Sequence, residues 1–178
     1  GHCGDLIYSL ALIKELSKSH QCNLFIGVGK KIEGAYFKHP AKGVYIDNRI
    51  AKQILPLLKF QSFLNEVKIY SEENIDINLD LFRDLPISLN FNSCRWYFHL
   101  TGVHVDLSAP YLNSTEHKSI KDKIIILRTF RYRNHFINYK FLEKYKNLLF
   151  VGSKTEYEDI KKEVKNILIA CQIGLTLH

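Results

Sequence analysis

The chain has 178 residues, 46% of them apolar and 12% aromatic, which is enough to bury a substantial core and excludes a disordered or collagen-like polymer. Lysine and arginine outnumber aspartate and glutamate by 25 to 18, and the net charge of +7 favours anionic partners or, more simply, a lysine-solvated surface. Cys3, Cys22, Cys94 and Cys171 are scattered, with no Cys-x-x-Cys pair or zinc-type histidine spacing, and no apolar run approaches the roughly 18 to 20 residues of a membrane span, so a metal-free protein of a reducing cytoplasm is expected.

The sequence contains no methionine and opens inside a glycine loop, Gly1-His2-Cys3-Gly4-Asp5, so a strand is expected ahead of it. Leu6, Ile7, Leu10, Ile13 and Leu16 then recur at helical spacing, with Ser9, Lys14, Glu15 and Lys18 mainly opposite, which predicts an amphipathic helix N-capped by Asp5. The apolar run Leu24 to Val28 predicts a buried strand and Val44-Tyr45-Ile46 another. A helix is expected from Arg49 to about Leu64 through Pro56, then a strand at Val67 to Tyr70. Ile75 to Leu81 alternates apolar and polar residues, as a strand with a solvated or cleft-facing side would. Ser93 to Leu100 reads as a helix with Trp96 and His99 in the core, followed by a loop over 103–111.

Asn113 to Ser119 has linker composition, and a new pattern starts after it. Ile124 to Leu127 predicts a buried strand, Tyr139 to Tyr145 a helix, Leu148 to Gly152 a buried strand, Glu156 to Val164 a helix and Ile167 to Ile169 a strand. The last strand runs into an apolar tail with no closing helix, so the second domain is expected to be cut short. Short apolar runs alternating with helices, twice over, predict an α/β fold: a Rossmann-like parallel-sheet domain over 1–117, its first strand missing, and the start of a second over 118–178.

In such sheets ligands sit beyond the carboxyl ends of the strands. Gly1 and Gly4 would let the opening loop turn tightly, and Asp5 reads either as a helix cap or as a general base able to take a proton from a sugar hydroxyl, provided one carboxylate oxygen stays free. Arg128, Arg131 and Arg133, near Lys121 and Lys123, suit a diphosphate, with pairing to surface carboxylates as the alternative. Tyr132 could stack on a base or simply pack. Gly152 and Glu156 stand where a nucleotide could lie, with capping and backbone geometry as the preferred explanation. Asp76, Asp80 and Arg83 are candidate acceptor-side residues, against a solvated-face alternative. Cysteine–histidine catalysis would have to use Cys3, with no histidine placed to serve it.

The opening Gly1-His2-Cys3-Gly4-Asp5-Leu6-Ile7 resembles the Gly-x-x-Gly-Asp-hydrophobic entry of glycosyltransferase family 9, the heptosyltransferase-like enzymes. Arg128 to Asn134 and Phe150-Val151-Gly152 resemble the start of that family's donor domain. The resemblance implies a GT-B fold and an inverting transfer from a nucleotide-diphosphate-sugar to a glycan or lipopolysaccharide-type acceptor. Asp5 would then be the base, with Gly1, Cys3 and Gly4 in the acceptor-side loop. Thr129, Arg131, Arg133, Asn134 and Gly152 would hold the donor, and no metal or other cofactor is implied. Ala11 departs from the proline common in the family's first helix, and the family's glycine-rich, histidine-containing donor motif is expected only beyond the last residue of this sequence. The implied location is cytoplasmic, peripheral to a membrane through a glycolipid acceptor, and this length of chain alone is expected to be inactive. The competing expectation is a non-catalytic Rossmann-like nucleotide or sugar-phosphate-binding module. A nucleic-acid-binding domain ranks last, because the arginines cluster in one loop and no known nucleic-acid-binding motif is visible.

Overall fold

The computed structural model describes residues 2–32, 43–88, 90–114, 118–130 and 133–170, the side chain of Ser119 excepted. The chain is mixed α/β with short parallel sheets. It divides into two units, Gly1–Ser114 and Thr115–Leu177, a few residues ahead of the expected boundary at 117/118.

Helix α1 spans Cys3–Leu16, so Asp5 is its third residue and His2 its N-cap, correcting the expected cap at Asp5. The helix starts early because the Asp5 carboxylate reaches back to accept the His2 N–H at 2.7 Å, satisfying a donor that the first turn leaves open. Its burial is also wider than one amphipathic stripe, since Ser9 to Ile13 are all buried. Leu10 and Ile13 pack with Leu24, Ile26 and Leu58, whereas Ala11 and Leu12 pack with Phe82, Tyr97 and Phe98. Covered on both sides, the helix buries Ser9, whose hydroxyl donates to the Leu6 carbonyl at 2.8 Å.

Strand β1, Asn23–Ile26, pairs in parallel with β2, Glu66–Ile69, with Leu24 opposite Val67. Between them runs α2, Asn48–Lys59, capped by Asp47, whose Oδ1 accepts the Ile50 N–H at 2.7 Å. The helix stops short of the expected Leu64. There the fully buried Gln61 donates to the Leu57 carbonyl at 2.7 Å, while its amide also exchanges hydrogen bonds with the Asn113 backbone at 3.0 and 2.8 Å.

Two expected strands are corrected. Val44 makes a single antiparallel bridge to Lys31, and Val44-Tyr45-Ile46 joins neither parallel sheet. Within Ile75 to Leu81, residues from Leu79 onward form a 3-10 helix, Leu79–Asp84. Asn78 starts it by accepting the Asp80 N–H at 3.1 Å, and Leu79 and Phe82, three apart, face inward at the 3-10 period. Helix α3, Cys94–Thr101, ends at Gly102, whose φ of 73° few other residues adopt. His99 is exposed, correcting its expected place in the core, whereas Trp96 is partly buried, packed against the core and stacked on Phe82 at 5.1 Å.

In the second unit β3, Ile124–Ile126, β4, Leu148–Phe150, and β5, Leu168–Ile169, form a parallel sheet in that order. The centre, β4, is wholly buried. The expected burial of β3 is corrected: Ile124 and Ile125 are 41% and 38% exposed, because a single neighbouring strand pairs with it. Tyr139–Lys144 forms a 3-10 helix, and α4 spans Lys154–Glu163, with Ser153 and Glu156 making a reciprocal capping box. Among the described residues no helix is long and apolar enough to cross a membrane.

Candidate functional site

In the first unit, the N-terminus of α1 brings Asp5 to Arg83, from the 3-10 helix, and to Tyr97, from α3. Both hydrogen bonds to the Asp5 carboxylate fall on Oδ2, from the His2 N–H at 2.7 Å and from Arg83 Nη2 at 2.5 Å. None among the described residues reaches Oδ1. The Asp5 side chain is 13% exposed, so the carboxylate is sheltered but not sealed off.

The Arg83 guanidinium lies between two rings, 4.9 Å from the Tyr45 centroid and 4.7 Å from that of Phe82, so its plane is set before it meets the carboxylate. The Tyr97 hydroxyl donates to the Asp5 carbonyl at 2.7 Å. Burial, followed by the Asp5 charge, pushes the Tyr97 phenol above its ordinary range, so it remains a donor. The His2 ring meets Tyr45 edge-on at 4.9 Å.

The other residues expected in this loop have smaller parts. Gly4 is a helical residue, and a Cβ there would meet only Tyr8 at 3.8 Å, so it does not serve the tight turn expected of it. Cys3 is half-buried; burial and the Asp47 charge raise its thiol above the usual range, against a backbone hydrogen bond that lowers it, which leaves it a poor nucleophile. Asp76 is exposed, and Asp80 approaches Lys30 at 3.6 Å. Gly1, Arg131 and Tyr132 lie outside the described residues.

In the second unit the arginines turn inward to carboxylates of α4. Arg128, its side chain 5% exposed, meets Asp159 at 2.6 Å and Glu163 at 3.5 Å. Arg133 meets the same two at 2.6 and 3.1 Å. Both guanidiniums are therefore engaged, which is the carboxylate-pairing alternative. Asn134 accepts the Phe136 N–H at 2.9 Å as a turn residue, and Thr129 is exposed just after β3. Gly152 is required by packing, since a Cβ would lie 2.8 Å from the Phe150 ring and 3.2 Å from Glu156. Glu156 accepts from Ser153 and from the Phe130 N–H, closing this end of the sheet onto itself.

Tyr97 and Tyr45 were not singled out from the sequence, and no local signal marks them, because Tyr97 meets a residue 92 positions away. Arg83 was singled out as a candidate acceptor-side residue, with a solvated face as the alternative, but not as a partner of Asp5. Among the described residues no group of three or more His, Cys, Asp or Glu side chains is placed to hold a metal ion. No protein family, curated protein or solved structure matches the chain.

Proposed function

We propose that the chain belongs to an inverting, heptosyltransferase-like glycosyltransferase with two Rossmann-like domains, in which Asp5 is the general base. One observation carries this reading: among the described residues the Asp5 carboxylate is anchored through Oδ2, and none of them bonds Oδ1. A capping carboxylate with no further task needs no second anchor from a residue far along the chain. With Arg83 and His2 fixing its orientation, Oδ1 can accept the proton of an acceptor hydroxyl. The acceptor oxygen attacks the anomeric carbon as the bond to the nucleoside diphosphate breaks and its electron pair leaves with the phosphate. The Gly-x-x-Gly-Asp resemblance supplies the reaction class, and the donor and acceptor are those it implies, a nucleotide-sugar and a glycan or glycolipid. The cytoplasmic location belongs to the same reading.

The test uses the protein as it occurs in its full reading frame. Asp5→Asn is expected to lower sugar transfer by ~100-fold or more, the usual scale for a general base, with nucleotide-sugar binding unchanged. Undiminished turnover in that variant removes Asp5 as the base. Because Arg128 and Arg133 are engaged with Asp159 and Glu163, they are not free to steady a leaving diphosphate, and a second reading is a binding module without transfer. That reading stands if calorimetry finds nucleotide-sugar binding while no acceptor supports turnover.

A further inference from the structure

In the second unit, residues 134–138 form a short loop that is closed at its base. Arg133 Nη2 donates to Glu163 Oε1 at 3.1 Å, and the Tyr139 N–H donates to Oε2 of the same carboxylate at 3.0 Å, so both ends of the loop are tied to the last turn of α4. Inside it, the Asn134 side chain accepts the Phe136 N–H and its carbonyl accepts the Ile137 N–H, which fixes the turn. This braced turn holds Phe136 99% exposed and Ile137 42% exposed. Ordering a loop so that a phenyl ring stands in water costs conformational entropy that no contact of the ring offsets.

The 3-10 helix that follows has two faces. Tyr139 and Leu142, three apart, pack into the core of the unit, which leaves Lys140, Phe141 and Lys144 outward. Glu143 Oε1 accepts the Lys165 N–H at 2.9 Å, and Asn166 Nδ2 reaches the Glu143 and Tyr145 carbonyls, so the turn after α4 lies against this helix. Loop, helix and turn make one surface, which exposes Phe136, Ile137, Phe141 and Tyr145 among Lys140, Lys144, Lys146 and Lys165. Glu143 is the only carboxylate within 134–147, and it is partly buried and bonded to backbone. Among the described residues, no carboxylate pairs with any of these lysines.

We propose that this end of the second unit docks on an anionic lipid bilayer, with the Phe136–Ile137 turn entering the acyl boundary and the lysines meeting the headgroups. Lysines beside exposed aromatic and aliphatic side chains match a surface that is negative outside and apolar beneath. A second copy of the chain fits badly, because a two-fold contact would set these lysines against themselves. Single-stranded nucleic acid also offers phosphates and rings. Ile137, however, has no π-face to stack on, and the arginines suited to phosphate, Arg128 and Arg133, are turned inward. The inference does not rest on the transferase reading. It also differs from attachment through a glycolipid acceptor, since here the chain's own side chains enter the bilayer.

Vesicle co-sedimentation of the full protein tests it, with phosphatidylcholine vesicles, alone or carrying phosphatidylglycerol, and no glycolipid in either. Binding is expected only with phosphatidylglycerol present, and it should weaken with added salt. Phe136→Ala is expected to weaken it roughly tenfold or more, the scale of one buried phenyl ring, and Lys140→Gln with Lys144→Gln by a similar factor. Because Phe136 is exposed, its variant should keep the parent's urea midpoint. Lys52→Gln with Lys59→Gln removes the same charge from α2 and should change binding little. Phe136→Trp should bind as the parent does, with emission quenched by brominated acyl chains beyond any quenching of Trp96, the only native tryptophan. Unchanged binding in Phe136→Ala, an equal loss in the α2 pair, absence of the added quenching, tighter binding to single-stranded RNA than to the vesicles, or vesicle binding only when a glycolipid is included overturns the proposal.

Discussion

Asp159→Ala tests whether the second unit is organised around an inward-facing ion network. Asp159 is the hinge of that network, since its Oδ2 accepts from both Arg128 and Arg133 at 2.6 Å. The variant leaves two guanidiniums sharing Glu163, across longer contacts of 3.5 and 3.1 Å. Arg128 is the costly member, because its side chain is 5% exposed and water cannot replace the lost carboxylate, whereas Arg133, at 22%, can partly rehydrate. Breaking a buried pair on one side costs about 3 to 5 kcal/mol, and the partial exposure of Arg133 places Asp159→Ala near the lower end, at about 3 kcal/mol. Arg133→Ala keeps Arg128 paired and is expected to cost about 1 kcal/mol. In the Asp159→Ala background the same change removes a repulsion, so the two substitutions should be non-additive by about 1 to 2 kcal/mol. Native-state exchange at the Leu149 and Phe150 amides measures all three, since Trp96 reports on the other unit. If Asp159→Ala falls within about 0.5 kcal/mol of the parent chain, the pairs are ordinary solvated contacts and the reasoning fails. The same set bears on function: an Arg133 that holds a donor phosphate would lose nucleotide-sugar affinity on substitution, whereas a structural one loses stability alone.

Gly152→Ala should cost about 1 to 3 kcal/mol by overpacking, because the added Cβ meets the ring of Phe150, which is fully buried and has no room to withdraw; urea unfolding followed by circular dichroism checks it, and a neutral outcome would mean that the strand end yields. Glu156 should give the second unit an acid-sensitive contribution. Burial raises its carboxyl, but hydrogen bonds from Ser153 and Phe130 and the Arg128 charge outweigh it, so the folded value lies below the ordinary 4.5. A lowered folded value stabilises the native state above the unfolded value, and that stability is lost as pH falls through the lowered one. Glu156→Gln, which can still cap the helix, should flatten the fall in stability below about pH 4.5, and an unchanged acid limb would remove Glu156 as its source.

Local pattern alone carried much of this architecture. The apolar runs at Leu24 and Leu148 and the helical spacing after Asp5 predict β1, β4 and α1, because each element buries residues at its own period. Alternation misleads at Ile75 to Leu81, where Asn78 offers the backbone a local hydrogen bond that a strand would have to forgo. The exposure of β3 is equally invisible in sequence, since Ile124 to Ile126 look like any central strand and only the order of the sheet leaves them at an edge.

The candidate site divides in the same way. The residue types, an aspartate at a helix start and an arginine-rich loop, are properties of the sequence. Their states are tertiary facts. Among the described residues only one Asp5 oxygen is bonded, because Arg83, 78 positions away, meets the same oxygen as the His2 N–H, and Arg133 is drawn inward because α4 presents Asp159 and Glu163 one helical turn apart. Charge and spacing name the groups that are able to bind a proton or a phosphate. Which of those groups are already occupied depends on contacts between distant parts of the chain, and only the folded structure sets these.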